Sequence, residues 1–381
     1  MRAIDRAPSA LAGLALALGV SSGCGSNGGS TPASDGGPNK AGSSSSGTSS
    51  TSGASTSGSG SGASSGSSAG DASSSGSSSG DSSGSGGSSR SGEAGTGPHI
   101  KNVFLILMEN TNWSDIYQSS QAPYINSLLT TASTQTSYAT NYYDNPSAVH
   151  PSEPNYVWLE GGSNFGFTND DDPSATHVIN KPHLATLLGA AGVSWREYAE
   201  DISPNSCPVM STGQYACKHV PFVFFQDVVG NPPSATSASC VPHFRPFTQL
   251  AADLSGGDVA AYNFITPNLC DDMHGNTGCP STPEITQGDT WLSTNVPLIT
   301  ASDAYKKGGA IFITWDESEG GELPIGMIVI SPFAKGHGYA GSKKYYHSST
   351  LRSMQEIFSV SPFLNDAANQ LDLSDLFSEF P

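Results

Sequence analysis

Ser152 lies in the run His150-Pro151-Ser152-Glu153-Pro154-Asn155-Tyr156, a setting that could make a hydroxyl reactive. Pro151 biases the residue before it toward extended backbone. Pro154 suits a first helical turn, where a missing N–H costs nothing, and Tyr156 to Leu159 could continue as helix. Ser152 therefore reads as an N-cap or first residue of a helix, with free backbone N–H groups and the positive dipole end beside its oxygen. Such a place stabilises an alkoxide nucleophile or an incoming phosphate. An isolated Ser-x-Pro is more often a plain cap, so the other polar runs decide the reading. Glu109-Asn110 and Asp316-Glu317 supply hard oxygen donors for a divalent cation, and Ser152 would complete the set as a fifth. A cation held there would lower the hydroxyl pKa and offset charge on a phosphoryl group. Histidines extend the pattern. His150 precedes the serine by two positions, Lys218-His219 precedes the aromatic stretch Phe222 to Phe225, and Asp272-Met273-His274 follows the mostly apolar run Tyr262 to Ile265. Imidazoles at such places bind phosphate oxygens or protonate a leaving group. His177, His183, His243 and His337 read instead as hydrogen-bonding residues of surface or core.

These groups must be delivered by regular elements. Asn102 to Met108 is a largely apolar run that ends abruptly at Glu109-Asn110, as a buried parallel strand would. Ala310 to Trp315 repeats the design and ends at Asp316-Glu317, and a third run covers Gly326 to Ser331. Helical patterns over Ala122 to Thr130, His183 to Ala191 and Thr248 to Leu254 fall between the first two. Strands alternating with helices predict an α/β domain with a mostly parallel central sheet covered on both faces. Ligands bind such sheets beyond the carboxyl ends of the strands, where two separate strands here deliver acids. The stretch Ser203 to Arg245 shows little periodicity and predicts long loops, stapled by disulfide and roofing the site.

The same motifs, in order, resemble the phosphoesterase family, which contains bacterial acid phosphatases and phospholipases C and belongs to the alkaline phosphatase superfamily. The likeness rests on Glu109-Asn110, the His150 to Tyr156 run, Lys218-His219, Asp272-Met273-His274, Asp316-Glu317 and Tyr346-His347-Ser348-Ser349, and spans Lys101 to Val360. It implies an alkaline phosphatase-like fold. By position it implies Glu109, Asn110, Ser152, Asp316 and Glu317 as ligands of one divalent metal ion, which could be Mg, Mn, Ca or Fe. Ser152 would be the nucleophile, forming a phosphoserine, with His219 and His274 contacting phosphate or protonating the leaving oxygen, and His150 a further catalytic candidate. The Ser-Glu-Pro-Asn segment is also similar to the Thr-x-Pro-Asn nucleophile segment of nucleotide pyrophosphatases. Here Tyr346 replaces an aspartate before His347, Cys217 stands where a basic residue often precedes Lys-His, and Glu317 stands where some members carry aspartate. The implied activity is an acid phosphatase acting on small phosphomonoesters. A phospholipase C cleaving phosphodiester headgroups is the rival, and a non-catalytic surface binding module is the reading from another class.

Composition sets the surroundings. Arg2 and Arg6 precede an apolar stretch, Leu11 to Val20, followed by Ser21-Ser22-Gly23-Cys24, which reads as an export signal over 1–24 with a lipobox-like cysteine. Residues 25–97 are almost all Ser, Gly, Ala and Thr, too poor in apolar side chains to fold, and as a coil would span roughly 45–50 Å. The catalytic domain is expected over 98–381, exported and either anchored at the cell surface or secreted. The net charge of −18 is carried almost wholly by that part and argues against nucleic acid or anionic membrane surfaces as partners. Membrane attachment would come only through the N-terminal lipid. Beyond Cys24, five cysteines remain, and an oxidising compartment allows disulfides. Proximity in sequence suggests Cys207–Cys217 and Cys270–Cys279, with Cys240 left over or paired with Cys207 or Cys217 instead.

Overall fold

The computed structural model describes residues 100–381, so the expected export signal, Cys24 and the Gly/Ser-rich segment lie outside the described residues. Eight strands form one sheet: β1 (Asn102–Met108), β2 (Thr136–Ala139), β3 (Trp195–Ala199), β4 (Phe244–Pro246), β5 (Tyr262–Thr266), β6 (Gly309–Trp315), β7 (Met327–Ile330) and β8 (Tyr339–Gly341). Their spatial order is β4-β3-β5-β1-β6-β7-β2-β8. Every pairing is parallel except those of β7, which runs against both β6 and β2. The expected mostly parallel α/β sheet is therefore present. Its centre is β1 and β6, whose side chains are buried on both faces, as their unbroken apolar runs require.

The register of these two strands builds the site. Met108 pairs with Trp315, so the chain leaves both strands at the same level, with Glu109 beside Asp316. Asp316 N donates to Met108 O at 2.9 Å and Glu109 N donates to Asp272 O at 2.7 Å, which joins the end of β1 to the loop after β5.

The helix Ser152–Gly161 is buried along its whole length, with little amphipathic character to distinguish its faces. Its surroundings meet its polar groups. Trp158 Nε1 donates to Ser348 Oγ at 2.6 Å, Tyr262 OH donates to Glu160 Oε1 at 2.7 Å, and Asn365 Nδ2 donates to Gly161 O at 2.7 Å. Gly162 ends it in the left-handed region at φ 70°, and a Cβ there would lie 2.5 Å from Leu364 O. A helix fixed on all sides holds its first residue, Ser152, in one place.

The segment 203–245 is less irregular than expected. It folds into short turns at Cys217–His219, Pro221–Phe224, Gln226–Val229 and Val241–His243, and Phe222, Phe224 and Phe225 are buried in the core. Burial of these rings, invisible to periodicity, orders the backbone. The disulfides are Cys207–Cys240 and Cys270–Cys279, and Cys217 is a buried free thiol. The local Cys207–Cys217 bridge does not form. Cys207 N donates to Ala235 O at 2.9 Å, drawing Cys207 to the strand of chain before Cys240. Cys217 instead opens the turn that sends Lys218 and His219 inward, with its thiol toward Pro208 O at 3.4 Å.

Candidate active site

Ser152 is the first residue of its helix, after the extended Pro151, and is only 2% exposed. Its Oγ donates to Glu109 Oε2 at 3.1 Å. Three distant stretches thus meet, because Asp316 is the neighbour of Glu109 across the β1–β6 register and is also within reach of the Ser152 hydroxyl. The helix end is partly spent before any ligand arrives. Glu153 N–H donates to Asp170 Oδ1 at 2.9 Å and Pro154 has no N–H, so fewer free donors surround Ser152 than the sequence implies.

Asn110 adopts φ 39°, and its backbone N–H donates to Asp316 Oδ1 at 3.0 Å. That bond clamps the two acid-bearing loops together. Glu317 faces a different direction from Asp316. Its Oε2 accepts from His150 Nδ1 at 2.7 Å and from Asn155 Nδ2 at 2.9 Å.

His219 and His274 enter from two further loops. Their rings are 5.6 Å apart, and Glu109, His219 and His274 each present a ligand atom within 4.8 Å of the other two. His219 stacks flat on Tyr156 at 5.1 Å, and its Nδ1 lies 3.2 Å from Asp272 Oδ2. Asp272 is the residue whose part sequence reasoning missed, although it stands in the Asp-Met-His motif. Its other oxygen accepts from His274 N at 2.8 Å, so one carboxylate orients both histidines. Between them Met273 takes φ 81°, held by Trp315 Nε1 at 3.3 Å from its sulfur. A non-glycine residue in that region is strained, and such strain concentrates at working sites. Asn155, Asp170 and Tyr156 are further supports; the first and last were legible in the His150 to Tyr156 run only as part of the motif.

The other histidines are structural, as read from the sequence. His177 bonds Glu153, His183 lies between Glu160 and Asp227, His243 Nδ1 donates to Trp195 O, and His337 Nδ1 donates to Thr131 O. His347 joins this group. Its Nε2 donates to Asp316 O at 2.6 Å while Nδ1 faces Tyr142 OH at 3.1 Å, and burial pushes its pKa down to about 4. Neutral and enclosed, it braces the Asp316 backbone.

Electrostatics show what the pocket lacks. Burial, then the charges of Asp316 and Asp272, push the Glu109 carboxyl well above its ordinary range. Burial likewise raises Asp272 and Asp316. Burial, helped by Lys218, pushes His219 well below its usual value, so its ring is neutral. With Nδ1–H given to Asp272, the lone pair on Nε2 faces Glu109 Oε1 at 3.2 Å. Two acceptors therefore confront each other. Neither has a hydrogen-bond partner among the described residues, and neither does Asp316 Oδ2. Buried acceptors without donors are costly. A proton on Glu109 would relieve that pair, and so would a divalent cation between Glu109 Oε1 and His219 Nε2, which lie within one ion's reach of each other. The residues fit a metal ion.

Residues 101–361 match the model of the phosphoesterase family. The chain belongs to that family. Relatives carry matching names. It is 28% identical over 284 residues to the phosphatidylinositol-3-phosphatase of Mycobacterium tuberculosis, across 74% of this chain and 84% of that protein. It is 27% identical to a probable acid phosphatase of Kluyveromyces lactis, across 58% of this chain and 49% of that one, so it spans about half the fungal relative's length. Among solved structures, a protein of the alkaline phosphatase superfamily from Vibrio parahaemolyticus superposes with a TM-score of 0.47 at 11% identity, over 74% of this chain and 72% of that one. This phosphoesterase is a phosphoric ester hydrolase.

Proposed function

We propose that the phosphoesterase is an exported, metal-dependent phosphatase of small phosphomonoesters that works through Ser152. The observation carrying this reading is the meeting of the Ser152 hydroxyl with Glu109 and Asp316, beside three buried acceptor atoms that have no donor. Glu109, Asp316 and His219, with Ser152, would hold the ion, flanked by Asn110 and Glu317, which leaves His274 free for proton transfer. When bound, a divalent cation of the Mg, Mn, Ca or Fe kind supplies positive charge for the phosphoryl oxygens and favours the alkoxide form of a serine.

The chain's own residues do the rest. Glu109 Oε2 accepts the Ser152 hydroxyl hydrogen and so fixes the direction of the Oγ lone pairs. Ser152 Oγ passes its proton to Glu109 Oε2 and forms the bond to phosphorus as the bond to the alcohol oxygen breaks, leaving a phosphoserine. His274 is half-buried, with Nδ1 at 2.7 Å from Gly275 O, and its Nε2 gives a proton to the departing alcohol. Water then cleaves the phosphoserine. Phosphatase names among the relatives support the monoester over the phospholipase C reading, and the retained polar set argues against a binding module. Two disulfides support folding in an oxidising compartment. Among the described residues no helix is long and apolar enough to cross a membrane.

Ser152→Ala should lower kcat on p-nitrophenyl phosphate by about a thousandfold or more while circular dichroism stays unchanged. The wild type should hydrolyse that ester faster than p-nitrophenyl phosphorylcholine. Near-normal turnover by the alanine variant would end the serine assignment, and the reverse substrate order would favour the diester reading.

A further inference from the structure

Around Glu317, a second group of ligand atoms converges where His150 and Glu322 reach the surface. His150 Nδ1 is 2.7 Å from Glu317 Oε2, which places a proton on that nitrogen and leaves Nε2 as the ring atom that a cation would take in place of a proton. Nε2 faces Glu322 Oε1 at 3.0 Å and Asp144 Oδ2 at 4.0 Å, and the three groups offer atoms all within 4.8 Å of one another. A separate observation points to something held between them. Asp144 is only 2% exposed, and its Oδ2, aimed at His150, has no hydrogen-bond partner among the described residues. Its position is set by the backbone, since His347 N donates to Asp144 O at 2.7 Å. A ring nitrogen backed by a carboxylate on its other nitrogen, with two more carboxylates in front, is how proteins arrange a metal-binding histidine.

We infer that Asp144, His150 and Glu322 form a second cation site, distinct from the Glu109 pocket. One imidazole and two carboxylates suit a borderline divalent ion of the zinc or manganese kind better than calcium. Glu317 is the outer carboxylate that orients the His150 ring. The ion would tie the β6–β7 loop, which carries Glu322, to the segment leading into Ser152. The assignment does not depend on the phosphoryl-transfer reading.

Equilibrium dialysis of the full-length protein against zinc, with elemental analysis, tests it. The wild type should hold two equivalents, and Glu322→Gln and Asp144→Asn one each, with the affinity of the second site weakened roughly tenfold or more. The Glu322 side chain is 47% exposed, so its substitution leaves the fold intact even if that of Asp144 does not. Asp316→Asn removes the other equivalent, which separates failure at one centre from failure at the other. Loss of zinc on Glu322→Gln supports the second site even where the Asp316 variant loses none. Unchanged stoichiometry and affinity in Glu322→Gln would overturn it, making His150 a protonated counter-ion of its carboxylate neighbours.

Discussion

Asp272 shows how one buried carboxylate controls a site it need not touch substrate to govern. It fixes the tautomer of His219 through Nδ1 and the position of His274 through its backbone N–H. Replacing it by alanine would free both rings, so metal affinity and kcat/KM should each fall roughly 10- to 100-fold, with partial rescue by asparagine. Zinc or manganese titration alongside p-nitrophenyl phosphate kinetics checks this; a variant that folds and keeps wild-type metal affinity refutes the orienting role. A second buried acid, Glu197 on β3, lies away from that chemistry. Burial pushes its carboxyl well above 4.5, against a smaller lowering from the Thr266 hydroxyl. A raised folded pKa contributes stability below the unfolded value, and that contribution is lost as pH rises toward the folded one. Stability of the wild type should therefore decline above about pH 4.5, at up to about 1.4 kcal/mol per pH unit from this group. In Glu197→Gln the melting temperature should vary less with pH over that window, and equal slopes in the two proteins would dismiss the group as a contributor.

Elements place these residues, and the legibility of each element depended on how local its cause is. β1 and β6 could be read directly, because a strand buried on both faces is a continuous apolar run and the acids follow where it stops. Glu109 and Asp316 stood out for that reason, whereas Ser152 was read from the prolines that mark the start of its helix. β7 read as a strand but not as the antiparallel one, since direction is set by connections rather than composition. The turns within 203–245 were not legible, because they are ordered by Phe222, Phe224 and Phe225 packing against distant strands and by a bridge between residues 33 positions apart. The Glu317 and His150 pairing was also hidden, since nothing local says which way a side chain at a strand end turns. The bridge predicts a difference between the two disulfides. Loop-closure entropy assigns about 3.7 kcal/mol to Cys207–Cys240 and about 2.6 kcal/mol to Cys270–Cys279, with its separation of 9. Denaturant unfolding of Cys207→Ala/Cys240→Ala should show the larger loss. Activity should fall as well, because the closed loop carries His219 into the pocket. A double alanine variant of full activity would separate the bridge from the positioning of His219.

At the scale of the whole molecule, charge sets a condition on every substrate. The net charge of −18 surrounds a pocket whose substrate is itself an anion. Within the pocket, the Lys218 turn and a bound cation would offset that field at contact distance, but the approach from solvent is through a negative potential. Screening acts on the approach and leaves the contact largely alone, since the Debye length falls from about 30 Å at 0.01 M salt to about 8 Å at 0.15 M. For p-nitrophenyl phosphate, kcat/KM should therefore rise with sodium chloride over that interval while kcat stays level. A zwitterionic ester such as p-nitrophenyl phosphorylcholine should respond less, because its ammonium group is drawn to the field that repels its phosphate. Salt titration of initial rates on both esters, at constant metal concentration, measures the difference. A fall in kcat/KM for the monoester would mean that local positive potential at the pocket mouth steers substrate inward despite the acidic exterior, and the overall charge would then carry no kinetic consequence.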